Sequence, residues 1–82
     1  MTASLQDIRY WLEKAKELKA THLIVALDSY DHINYPVYIT ANKDVNKEYN
    51  RIVKSNMQSV DEVYNMSISL DKQLSEFRSH NI

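Results

Sequence analysis

The sequence predicts a small α+β domain in which a three-stranded antiparallel sheet packs against helices, in the order helix, strand, strand, helix, strand, helix. Three observations predict it. Apolar residues recur at three- and four-residue spacing in two separate segments, the mark of helices with one buried face. The run THLIVAL at 21–27 is rich in branched residues and too short for a helix. Residues 35–40 and 58–66 alternate in character from one position to the next, which is the period of a strand. Eighty-two residues suffice for one core and not for two, so 1–82 is read as a single domain.

The first helix starts at Ser4, which with Asp7 three residues on makes a capping box. Leu5, Ile8, Trp11, Leu12, Ala15 and Leu18 then form its apolar stripe as far as Lys19, and a tryptophan in that register belongs to the core. THLIVAL follows as a central strand buried on both faces. In YPVYIT, Pro36, Tyr38 and Thr40 face one side and Tyr35, Val37 and Ile39 the other. Pro36 donates no ladder hydrogen bond, which puts it at the strand start or on an edge. The seven or so residues between these strands make a long hairpin loop, a common place for function on a rigid scaffold. Asn42 or Asp44 caps a second helix bearing Val45, Tyr49, Ile52 and Val53, which ends at Ser55 and Asn56. Residues 58–66 then read as a third strand, the competing assignment being one helix over 59–78. Ser67 or Ser69 caps a last helix with Leu70, Leu74 and Phe77 on its stripe, and the tail RSHNI is expected to fray. A sheet of three short strands leaves two edges, so a homo-oligomer is expected to cover them.

Composition narrows the function. The absence of cysteine removes disulfides and thiolate zinc sites. The absence of glycine removes Walker and dinucleotide phosphate loops, which need it for close backbone approach. The charged N-terminal segment lacks the apolar run of a signal peptide or a membrane span, and a cytoplasmic protein that does not enter membranes is expected. Ten basic against eleven acidic residues, net −1, with no cluster of cations along the chain, argue against duplex nucleic acid as a partner.

The stretch DSYDHINYPVYI, 28–39, concentrates polar and aromatic chemistry. Asp28, Asp31 and His32 have metal-ligand atoms, but the acidic spacing, turn glycine and distal glutamate of an EF-hand are missing and only His22 is near as a further nitrogen ligand. No metal and no cofactor is expected. Catalysis by His32 as a base oriented by an aspartate lacks an evident nucleophile, since Ser29 has no elbow glycines around it. The chain is therefore read as no enzyme. Binding suits the residues better. Tyr30, Tyr35 and Tyr38 can stack on bases or fill a partner's pocket, and Asp28 and Asp31 can accept hydrogen bonds from ribose hydroxyls, exocyclic amines or cationic side chains. His32 completes the stretch, and Arg51 with Lys47 or Lys54 is the nearest cation for a ligand phosphate. The same residues have an ordinary structural use, tyrosines covering the sheet and aspartates ending strands.

THLIVALDSYDHINYPVYI at 21–39 and NMQSVDEVYNMSISLDKQL at 56–74 resemble a group of small accessory proteins of tailed bacteriophages. The resemblance carries over no catalytic residue. It implies an accessory protein of phage or prophage acting in the host cytoplasm, and two functions are expected from it. The first is sequestration of a nucleotide-derived immune signal, such as a cyclic oligonucleotide or an ADP-ribose derivative. The alternative is a protein–protein inhibitor of a host defence or metabolic enzyme.

Overall fold

The computed structural model describes residues 3–76 and 78–82. It contains α1 (Leu5–Glu17), β1 (His22–Asp28), β2 (Ile33–Ile39), α2 (Val45–Lys54), β3 (Gln58–Asn65) and α3 (Leu70–Ser75). This is the expected α+β order, and the ambiguous segment is a strand rather than the start of a long helix. The strands form one antiparallel sheet in the order β2-β1-β3. No helix among the described residues is long and apolar enough to cross a membrane.

The central position of β1 explains its unbroken apolar run. Alternate side chains point to opposite faces. Leu23 and Val25 meet Ile8, Leu12 and Ala15 of α1, with Leu70 and Leu74 of α3 packed around them. Ile24 and Ala26 meet Ile52 of α2 on the other face. Each large side chain so buried contributes roughly 1.5 to 3 kcal/mol relative to an exposed one.

The capping box forms as expected: the Asp7 N–H donates to Ser4 Oγ, and the Ser4 N–H donates to Asp7 Oδ2, both at 3.1 Å. Spacing alone overestimates the buried stripe. Leu5 and Leu18, at the two ends of α1, are exposed, and Trp11 packs against the core only half-buried. At the C-terminal end the Ala20 N–H donates to Ala15 O at 2.8 Å and the Lys19 N–H to Lys16 O at 3.0 Å, a Schellman closure. Lys19 holds the left-handed position, φ 56°, that glycine usually takes, and the chain has no glycine to offer. Lys19→Gly should therefore raise stability by about 0.5 to 1 kcal/mol, the relief of Cβ strain exceeding the added chain entropy. Urea denaturation measures it.

Asp44, not Asn42, caps α2, its Oδ1 accepting the Asn46 N–H at 2.9 Å. Val45 and Tyr49 pack beside Ile52, whereas Val53 is exposed because it lies 100° round the helix from Ile52. Ser69, not Ser67, caps α3. Phe77, expected on the stripe of that helix, lies outside the described residues.

Two expectations are corrected. The β1–β2 connection is residues 29–32, not seven residues, because the ladder runs on to the pair Asp28↔Ile33. Ile33 and Asn34 thus belong to β2, and the Asn34 Nδ2 donates to Ala26 O at 3.0 Å in the interior. Pro36 stands opposite Val25 on an outer strand of the sheet, as its missing N–H requires. The tail does not fray. The Val63 N–H donates to Ser79 O at 2.7 Å and the Asn81 N–H to Val63 O at 3.0 Å, giving a parallel bridge Val63↔His80 on the outer side of β3. Gln73, only 1% exposed, anchors this tail. Its Oε1 accepts from the Asn65 N–H at 2.7 Å and from Asn81 Nδ2 at 3.1 Å. The chain thereby covers part of the β3 edge itself, which leaves β2 as the open edge.

Candidate functional site: the turn end of the sheet

Antiparallel pairing brings the β1–β2 turn and the α2–β3 connection to the same end of the sheet, because Asp28 pairs with Ile33 on one side and Gln58 on the other. The Asp28 Oδ1 accepts the Tyr30 N–H at 3.0 Å, an Asx-turn that gives this aspartate a shaping role. His32 closes the turn in the left-handed region, φ 57°. The Ser29 N–H then donates to Met57 O at 2.8 Å, locking the two connections together. Tyr30 is 78% exposed, Ile33 52% and Met57 46%, and Val53 is exposed one turn before Met57. The turn end of the sheet thus carries these exposed apolar side chains, with the exposed Asp31 and His32 on the turn itself.

The expected site residues separate into groups. Asp28, Tyr30, Asp31 and His32 share the turn. Tyr35 points to the α2 face, where its hydroxyl hydrogen-bonds Gln58 Oε1. Tyr38 points to the α1 face. Burial raises its phenol pKa, with Tyr10 adding to the rise and Lys14 opposing it. These two tyrosines are therefore on opposite sides of the sheet. Arg51, on α2, pairs through Nε with Glu48 Oε2 at 3.1 Å. Among the described residues no three His, Asp or Glu side chains are grouped to hold a metal ion.

Ile33, Met57 and Val53 were not selected by sequence reasoning, since exposed apolar residues cannot be told from core residues by type. A cleft of about 250 Å³ on the α1 face also went unread. Between Val25 and Ala26 the β3 register shifts, so that Val25 faces Glu62 and Ala26 faces Val60. Asp61 is the extra residue, and this bulge lets two successive carboxylates line one cleft with Asn34, Glu76 and Arg78. Neutral donors already hold these carboxylates. The Asn34 Nδ2 donates to Asp61 Oδ2 at 3.0 Å, the Tyr64 hydroxyl to Glu62 Oε1 at 3.1 Å, and Ser79 Oγ and Asn81 Nδ2 to Glu76 Oε1 at 2.8 and 3.0 Å. Their geometry serves to fasten β2 to β3 and the tail to the end of α3, and the cleft is smaller than the 300 Å³ or so at which drug-sized ligand pockets begin.

His22 Nδ1 lies 2.9 Å from Thr21 Oγ1, a pair that resembles an activated nucleophile. The Thr21 hydroxyl, however, donates to Ile39 O at 3.1 Å, so it accepts from the Nδ1–H and is not deprotonated by it. Nε2 then carries the lone pair, sealed from solvent without a partner among the described residues. Burial lowers the imidazole pKa below 6.5. The unfolded chain thus takes up its proton first on acidification, and stability that is full above pH 6.5 declines as pH falls through the folded pKa. Glu76 adds a lower window. Hydrogen bonds from Asn81 and Ser79 pull its carboxyl below 4.5, so its contribution is present above pH 4.5 and is lost below it. Thermal melts from neutral to acid pH should show both declines, and His22→Leu should remove the upper one.

No family model, curated protein or solved structure matches the chain.

Proposed function

We propose that the chain is a non-enzymatic, phage-type accessory protein of the host cytoplasm that binds a host protein through the turn end of its sheet. The supporting observation is the joining of Tyr30, Ile33 and Met57, all exposed, from two distant segments by the Ser29–Met57 hydrogen bond. Monomeric proteins scatter their exposed apolar residues, whereas several at one end of a sheet with an exposed aromatic on the turn suit a protein partner's pocket. Asp31 at the rim would meet a cationic side chain.

Sequestration of a nucleotide-derived signal is the second reading. Tyr30 can stack on a base, and an exposed turn can enclose a small ligand only against another copy of the chain. That reading therefore requires a homo-oligomer, for which the open β2 edge is the available pairing surface.

Tyr30→Ala and Asp31→Ala should each leave stability within about 0.5 kcal/mol, as exposed turn positions do. Partner affinity should fall by about 1 to 3 kcal/mol, roughly tenfold to a hundredfold. Native mass spectrometry of protein purified from phage-infected cells separates the readings. A stoichiometric host protein lost in Tyr30→Ala supports the first, and an oligomer retaining a nucleotide supports the second. If the bare chain is recovered, or if Tyr30→Ala keeps the host protein, the turn end is not the binding surface.

A further inference from the structure

α2 turns Val45, Tyr49 and Ile52 to the core, so its outer face carries Asn46, Lys47, Asn50, Arg51 and Lys54, all exposed. Lys43 is exposed just ahead of the helix. The nearby carboxylates are already engaged: Asp44 caps the helix through the Asn46 and Lys47 N–H groups, and Glu48, on the flank, holds Nε of Arg51. Four of the ten cations, Lys43, Lys47, Arg51 and Lys54, thus lie on or just ahead of one helix, while Asp61, Glu62 and Glu76 line the cleft across the sheet together with Arg78. A net charge of −1 averages over this separation.

Lys47 and Lys54 are two turns apart, about 10 Å, with Arg51 between them. A row of cations along one helix face complements the regularly spaced phosphates of a nucleic-acid backbone. Asn46 and Asn50 add neutral donors of the kind that phosphate oxygens accept. The helix's one aromatic, Tyr49, is turned inward and meets the His80 ring at 6.0 Å, so base stacking is not part of the surface. We propose that the outer face of α2 docks on the phosphate backbone of duplex nucleic acid without reading its sequence.

Anisotropy titration of the full chain into a labelled DNA duplex of about 20 base pairs should show binding at about 50 mM salt that weakens roughly 40-fold at about 200 mM, the slope for three neutralised phosphates. Lys47→Gln with Lys54→Gln should lower that slope by about two. The charge reversal Lys47→Glu with Lys54→Glu should cost more than about tenfold in affinity. Circular dichroism melts confirm that the variants fold, and Tyr30→Ala should bind the duplex as the parent does, which keeps this test separate from the turn-end reading. The proposal is overturned if no binding occurs at the lower salt, if Lys16→Glu on α1 loses as much affinity as the α2 reversal, or if polyglutamate binds as tightly as the duplex.

Discussion

Tyr64→Ala is expected to lower stability by about 3 to 5 kcal/mol, the range for truncating a buried large aromatic. Tyr64 is 2% exposed and lies at the centre of the α1-side core, opposite Leu23 and beside the residues of α1. Its hydroxyl, hydrogen-bonded to Glu62, contributes much less, so Tyr64→Phe should cost about 1 kcal/mol. The phenol pKa is raised by burial first and then by Glu62, so it is protonated at neutral pH. Urea unfolding of the pair separates packing from hydrogen bonding. Equal losses for the two variants would move the weight of this residue from the core to the cleft.

Gln73→Ala is expected to cost about 3 to 4 kcal/mol by a different route, because it strands buried polar groups instead of only removing apolar contact. The Gln73 amide accepts the Asn65 N–H and donates to Asn65 O at 2.8 Å, closing the end of β3 against α3. Further bonds to Ile68 O and Ser69 O, at 3.2 and 3.3 Å, pin the connection between them. Without this side chain the Asn65 N–H loses its partner, Asn65 O keeps the Ile68 N–H at 3.1 Å, and the tail loses the Asn81 contact. Gln73→Glu should be at least as damaging near neutral pH, since a carboxylate accepts but cannot donate to three carbonyls. Hydrogen exchange gives a local readout: the Val63 and Asn81 amides, which pair β3 with the tail, should lose protection before those of β1. If their protection persists in Gln73→Ala, the tail is held by Glu76 and Ser79 and not by the glutamine.

Both variants remove a large share of the total, since a domain of this length has on the order of 4 to 12 kcal/mol of stability. Both residues were hard to see in the sequence. Tyr64 was one of six tyrosines and stood in a segment that fits helix and strand alike. Gln73 is polar and was left out of the apolar stripe, although three residues after Leu70 it shares that helix face. Its burial follows from the need to satisfy the β3 backbone where the chain turns into α3.

The candidate site was legible in the same partial way. Crowding of Asp, Tyr and Pro marked 28–39 as unusual, and the turn is there, with Tyr30, Asp31 and His32 exposed on it. The alternation that placed Tyr35 and Tyr38 on opposite faces was also readable, yet grouping all the tyrosines into one ligand set ignored it. Ile33 and Met57 could join Tyr30 only once β1 had paired with both neighbours, one contact spanning four residues of turn and the other about a third of the chain.

By itself the sequence determined the order of elements, the capping box at Ser4, the two-sided burial of β1 and the restriction of Pro36 to a strand start or an edge. Each follows from local sterics or from a period of 2 or 3.6 that a short window contains. Only the tertiary structure decided the bulge at Asp61, the tail lying on β3 and the junction of Ser29 with Met57. These depend on register and on which elements pair. A one-residue shift in pairing sends every side chain of a strand to the other side, and no local window carries the free energy that selects one register over the next.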